Sequence, residues 1–151
     1  MGYRSEVGYV IAFQNNIDWT DEASDKDKTM TGRDVFNTFL AEAKSNPETK
    51  QCFEDIDADT YIVNETEMYI KGHWSDVKWY DDYDDVKCHH KLMEMASEYI
   101  NSQRDNTNIK FTTISYGFVR IGEENDDIET EYDGDEGWDL VYPVRKIDFN
   151  V

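Results

Sequence analysis

Residues 6–13 read EVGYVIAF, with Val7, Tyr9, Ile11 and Phe13 on one face of an extended chain and Val10 and Ala12 on the other. Apolar residues on both faces predict an interior strand, since an exposed strand would alternate apolar with polar. The preceding residues carry one Arg, Glu6 interrupts the approach to the apolar run, and no small-residue cleavage site follows, so the segment reads as a first strand and not as a leader. Downstream, residues 14–30 set Asp18, Asp21, Glu22, Asp25 and Asp27 against Lys26 and Lys28 without periodicity, which reads as a long acidic loop. Thr31 then opens a helix, with Asp34 as a capping-box partner. Val35, Phe36, Phe39, Leu40 and Ala43 share one face, and the helix ends near Asn46. Pro47 suits the first position of a short helical turn reaching Phe53.

Residues 60–64 and 67–74 are rich in Tyr, Ile, Val, Met and Trp, and only Glu65 and Thr66 separate them, so a tight hairpin is expected. Asp84 or Asp85 can cap a second helix carrying Val86, His89, Leu92, Met93, Ala96, Tyr99 and Ile100 along a single stripe. Residues 109–121 and 138–149 read as two further strands, the latter accommodating Pro143 only at an edge or bulge. The resulting β-α-β-β-α-β-β order predicts one α+β domain. Right-handed crossovers would place both helices on one face of an antiparallel sheet, in a ferredoxin-like arrangement with an added C-terminal strand.

Charge bounds the function. The chain of 151 residues holds 34 Asp and Glu against 15 Lys and Arg, a formal charge of -19 that a compact domain carries against its own repulsion. That surplus argues against direct contact with nucleic-acid phosphates or an anionic membrane face, both of which require a basic patch. Hydrophobic residues at 38% and aromatics at 14% are too many for a disordered acidic tail. The apolar runs are too short for a membrane helix, and Cys52 and Cys88 form no C-x-x-C pair. A soluble protein of a reducing compartment is expected, with neither a zinc site nor a redox dithiol suggested by spacing.

The densest acidic stretch is residues 122–139, GEENDDIETEYDGDEGWD, with ten carboxylates and no base in eighteen residues. It exceeds an ordinary hairpin loop, so it either extends the strands or forms a functional loop. One reading is an imitation of phosphates that fills a basic groove on a partner; the other is a solvated charge run. A calcium loop fits poorly. With Gly134 in the sixth position of an EF-hand, Leu140 stands where the bidentate Glu belongs; the run Asp55, Asp57, Asp59 has Thr60 and Thr66 at the two diagnostic places. His89 lies on the apolar stripe as a buried histidine, and His90 projects about 100° away, so the pair cannot chelate one metal. His73 with Asp76 carries no metal motif, no serine sits in a G-x-S-x-G turn, and no glycine loop for phosphate occurs. In residues 76–85, DVKWYDDYDD, Asp81, Asp82, Asp84 and Asp85 suit the positive end of a helix dipole. Trp79, Tyr80 and Tyr83 are either core residues or exposed anchors for a partner.

Three segments, MGYRSEV at the start, SDVKWYDDYDDV at residues 75–86 and YGFVRIGEENDDIE at residues 116–129, resemble a family of small uncharacterised acidic proteins of tailed bacteriophages. The loop at residues 15–30 departs from that shorter pattern. The resemblance implies a viral source and the bacterial host cytoplasm, and no activity. Combined with the charge, it yields the expectation of a non-catalytic phage inhibitor of a host nucleic-acid-binding or defence protein, acting as a DNA mimic on a basic groove with no cofactor. The expected contacts are Asp126, Asp127, Glu129, Glu131, Asp133, Asp135 and Glu136, with Asp81, Asp82, Asp84 and Asp85 as a second cluster. Two alternatives stand beside it: an adaptor that binds a host protein through Trp79, Tyr80 and Tyr83, and a metal-dependent phosphodiesterase or nucleotide hydrolase built from Asp and His.

Overall fold

A computed structural model describes residues 3–15, 31–54, 60–103, 105, 112–124, 126–134 and 140–143. The first strand, β1 (Ser5–Asn15), is followed by helix α1 (Gly32–Ser45), a 3-10 turn (Lys50–Phe53), β2 (Tyr61–Asn64), β3 (Tyr69–Val77), helix α2 (Asp84–Ser102), β4 (Thr112–Gly122) and β5 (Ile128–Asp133). The strands form one antiparallel sheet in the order β2-β3-β1-β4-β5, an α+β fold with β1 in the middle. Val7 lies opposite Trp74 on β3 and Arg120 on β4, which satisfies the backbone of β1 from both sides. The two-faced apolar pattern of residues 6–13 therefore marks a central strand. Among the described residues no helix is long and apolar enough to cross a membrane.

Both helices pack on the face that carries Val7, Tyr9, Ile11 and Phe13. Phe13 meets Phe36 and Phe39 of α1 with ring centroids 5.3 Å apart, and Tyr9 meets His89 of α2 at 5.5 Å. Val35, Phe36 and Phe39 of α1 and Leu92 and Ala96 of α2 are completely buried there. Burying one such side chain is worth roughly 1.5–3 kcal/mol for the larger residues, so this layer carries most of the stability. The start of α1 is as expected: the Thr31 side chain accepts from the Asp34 N–H, and the Asp34 carboxylate accepts from the Thr31 N–H. Asn46 caps its other end.

Three expectations need correction. Within residues 138–149, expected as the fifth strand, Leu140–Pro143 follow no strand path, and the remainder lies outside the described residues. The fifth strand is instead the acidic segment IETEYD, where Ile128, Thr130 and Tyr132 alternate with Glu129, Glu131 and Asp133. It pairs with β4 across a turn in which Gly122 donates to the Asp127 carbonyl and Asp127 to that of Glu124. Of the two outcomes open for the acidic stretch, strand extension holds over this part. The β2–β3 connection has four residues, 65–68, and not two, ending on Met68 with φ 63. Finally, α2 has Tyr83 as its N-cap with no side-chain cap, while Asp84 and Asp85 occupy its first turn. The loop at residues 16–30, the carboxylates Asp55, Asp57 and Asp59, and the expected contacts Asp135 and Glu136 lie outside the described residues.

Candidate functional site

The start of β1 and the ends of β3 and β4 coincide, because Ser5 pairs with both Val77 and Gly122. This end of the sheet therefore gathers three chain segments: Tyr3 and Arg4, residues 78–83 leading into α2, and the β4–β5 turn. Tyr3 ties them together. Its N–H donates to the Tyr80 hydroxyl at 2.7 Å, its own hydroxyl donates to Asp127 Oδ2 at 2.5 Å, and the Glu124 N–H donates to that same hydroxyl at 3.1 Å. The Arg4 N–H adds a bond to Glu123 Oε1 at 2.8 Å.

Within the turn, Arg120 grips Asp127 with two nitrogens, Nη2 to Oδ1 at 2.7 Å and Nη1 to Oδ2 at 3.1 Å, and reaches Glu129 at 3.6 Å. The bidentate geometry holds the Asp127 carboxyl below its usual range, the Arg120 guanidinium first and the Tyr3 hydroxyl second. Further along β5, Glu131 accepts from the Tyr116 hydroxyl and Asp133 from Ser97 Oγ at 3.0 Å. Burial, followed by the bond to Glu131, pushes the Tyr116 phenol up to about 12. Asp127, Glu129, Glu131 and Asp133 are thus engaged by the fold itself, whereas Asp126 is exposed.

At the head of α2 the carboxylates are freer. Asp81, Asp82, Asp84 and Asp85 are all exposed; Asp81 lies 3.9 Å from His90 Nε2, and Asp85 Oδ1 accepts the Val86 N–H at 3.0 Å. Trp79 is half-buried against Trp74 and Phe118, with centroids 5.6 and 6.2 Å away, and donates Nε1–H to His90 Nε2 at 3.3 Å. Tyr80 is held by Tyr3 and meets the Tyr83 ring edge-on with centroids 5.1 Å apart, so of the three aromatic residues only Tyr83, at 40%, is exposed. Tyr3 thus ties the segment that leads into the acidic lip to the acidic turn, while the aromatic patch is mostly absorbed into the fold.

Spacing gave no warning of the third feature. Between the 3-10 turn, β2, β3 and the head of α2 lies a cleft of about 710 Å³ lined by Cys52, Tyr61, Trp74, Cys88 and His89, with Asp82, Asp84 and Asp85 among its polar lining. Cys52 and Cys88 are free, buried and face each other with Sγ atoms 2.7 Å apart. His89 Nδ1 is 2.6 Å from the Tyr9 hydroxyl and 3.6 Å from Cys52 Sγ. Burial pushes the imidazole down to about 4, so at neutral pH it is uncharged and shares one proton with the Tyr9 hydroxyl across the Nδ1 bond. The Tyr61 hydroxyl is buried beside that of Tyr9, which His89 already engages. His73 instead pairs with Glu6 at 2.8 Å, and among the described residues no three His, Cys, Asp or Glu side chains stand together as metal ligands. The signal for the cleft was faint: Cys88 adjoins the stripe residue His89, and nothing local links either to Cys52.

No protein-family model, curated protein or solved structure matches the chain.

Proposed function

We propose that this chain is a non-catalytic acidic inhibitor of tailed-bacteriophage origin that occupies a basic groove on a host nucleic-acid-binding or defence protein in the bacterial cytoplasm. One observation carries the reading. Tyr3 bonds to Tyr80, which leads into Asp81, Asp82, Asp84 and Asp85, and to Asp127 and Glu124 of the turn that carries Asp126, so two acid-rich segments distant in sequence are tied at one end of the sheet. The same contacts join all three segments on which the phage resemblance rests. Among the described residues no Lys, Arg or His nitrogen lies within 4 Å of the carboxylates of Asp82, Asp84 and Asp126. Such carboxylates offer a basic groove the charge that phosphates would offer, and they speed the encounter. No chemistry is required. The order β2-β3-β1-β4-β5, with each helix-containing passage crossing one intervening strand, supports a ferredoxin-like scaffold with β5 added beside β4.

The working contacts are Asp81, Asp82, Asp84, Asp85 and Asp126. Asp127, Glu129, Glu131 and Asp133 act mainly by shaping the turn and edge strand. The test is affinity capture from bacterial lysate in parallel at low and high salt, using wild type and the variant Asp81→Asn, Asp82→Asn, Asp84→Asn, Asp126→Asn. The expected result is a nucleic-acid-binding protein that wild type retains at low salt, that added duplex DNA displaces, and that the variant fails to retain. A partner held equally by the variant, or undisturbed by salt and DNA, overturns the proposal.

A further inference from the structure

We propose that Cys52 and Cys88 form a peroxide-reactive dithiol that opens on the cleft beside α2 and closes reversibly to an intramolecular disulfide. Buried cysteines ordinarily act as small apolar fillers, and these two differ in their placement. They come from separate elements, the 3-10 turn and the second turn of α2, yet their sulfurs lie 2.7 Å apart, so a covalent bond of about 2.05 Å is within reach of small side-chain rotations. Both side chains line the cleft, which gives a small reagent a route to them although each is 95% or more covered.

The two sulfurs have different roles. The two sulfurs share a hydrogen bond, and Cys88 Sγ also lies 3.4 Å from the Thr49 carbonyl; the Cys52 thiol, with the backbone N–H groups of Cys52 and Gln51, draws the Cys88 thiol below its usual range. The bond to Cys88, followed by burial, holds the Cys52 thiol well above that range. Cys88 is therefore the attacking sulfur and Cys52 the resolving one.

Hydrogen peroxide is the oxidant that the surroundings admit. Only a few per cent of either cysteine is exposed, which favours a small reagent over a bulky one, and Asp82, Asp84 and Asp85 beside the cleft repel anionic disulfides such as oxidised glutathione. In the first step the Cys88 thiolate attacks one peroxide oxygen. An S–O bond forms, the O–O bond breaks, and the departing hydroxide takes up the proton that Cys88 had lost, giving Cys88 sulfenic acid and one water. In the second, Cys52 Sγ attacks Cys88 Sγ: the S–S bond forms, the S–O bond breaks, and the hydroxyl leaves with the Cys52 proton as a second water. Two thiols and one peroxide become one disulfide and two waters, the sulfurs giving up two electrons and the peroxide oxygens accepting them. A dithiol reductant reverses the change. The closed form ties the 3-10 turn covalently to α2, one turn beyond Asp84. The dithiol is independent of the proposed function and holds whether or not the acidic surface binds a partner.

The test treats the reduced full-length protein with hydrogen peroxide and counts thiols in denaturant, with intact mass and a non-reducing peptide map as further readouts. The expected result is loss of both thiols, a mass lower by two hydrogens, a single cross-linked peptide pair containing Cys52 and Cys88, and recovery of both thiols with dithiothreitol. In Cys52→Ser, dimedone should trap a sulfenic acid on Cys88. In Cys88→Ser, the remaining thiol should react about tenfold or more slowly. Oxidised glutathione should react with wild type more slowly than with Asp82→Asn/Asp84→Asn/Asp85→Asn, while the peroxide rate stays the same. Retention of both thiols by wild type under peroxide that consumes free cysteine overturns the proposal, and so does oxidation that yields only intermolecular links. Equal reactivity of the two single-serine variants overturns the assignment of roles.

Discussion

Lowering the pH from 7 to 5 should destabilise the protein through one residue, His89. Its imidazole is enclosed by Tyr9, Tyr61 and Trp74, with ring centroids 5.0 to 5.5 Å away, and burial lowers its titration to about 4. In the unfolded chain a histidine titrates near 6.5. Between these values the unfolded state binds the proton and the folded state does not, so stability rises with pH; the contribution is complete above about 6.5 and lost progressively as pH falls towards about 4. At pH 5 the unfolded side chain is almost fully protonated and the folded one hardly at all, a difference of about 2 kcal/mol, against a few tenths at pH 7. Carboxylate protonation works in the opposite direction, because it relieves the self-repulsion of a chain with formal charge -19. The measurement is therefore a difference of differences: urea unfolding at pH 7 and pH 5, followed by Trp fluorescence, for wild type and His89→Gln. Wild type should lose about 2 kcal/mol more than the variant over this interval. Equal changes in the two proteins, or an imidazole that titrates near 6.5 by NMR in the folded state, would refute the buried neutral histidine.

Closing Cys52 and Cys88 should raise stability in urea by about 4 kcal/mol in the chain-entropy model, since the loop spans 36 residues; no change in the midpoint between the reduced and peroxide-treated protein would count against a native-compatible bond. Gly72→Ala should cost about 1–3 kcal/mol and alter Trp fluorescence, because a Cβ there would stand 2.5 Å from Trp74 Cη2 and push the ring towards the cleft. Thr31→Ala, which removes half of the capping box, should cost about 1 kcal/mol by the same urea assay. Arg120→Met should loosen the β4–β5 hairpin, visible as faster amide hydrogen exchange in residues 126–130, while exchange in β1 stays slow.

How much of this was legible in the sequence depended on the range of the interactions. The α1 cap, the stripe of α2 and the two-faced β1 are set by neighbours within about four residues or by strict alternation, and each was readable. The fifth strand was misplaced because Leu140, Val141 and Tyr142 offered an apolar run, while IETEYD concealed its alternation under three carboxylates. What makes that segment a strand is partly remote: Arg120 on β4 neutralises Asp127 and Glu129, and Ser97 on α2 donates to Asp133. Asp84 and Asp85 were read as possible caps, yet Tyr83 holds that place and they contribute as first-turn charges. The dithiol escaped for the same reason as the strand. Cysteine spacing rules describe local loops, and Cys52 meets Cys88 only once the 3-10 turn has packed on α2.

Charge placement, more than charge total, decides what this surface can do. Carboxylates along β5 lie beside an arginine, a phenol and a serine, which fixes their positions and weakens the field that they send outward. Those at the head of α2 are exposed, and their mutual repulsion is offset by the unpaired N–H groups of the first helical turn instead of by cations. Tyr3 then ties the segment that leads into this lip to the β4–β5 turn. The field accordingly rises at one end of the sheet, where β1 begins and β3 and β4 end. A partner that recognises that end answers to a handful of side chains. The salt dependence of its binding should follow the number of carboxylates at the lip and turn, and neutralising exposed acids elsewhere, such as Glu65 and Glu67 in the β2–β3 turn, should leave it nearly unchanged.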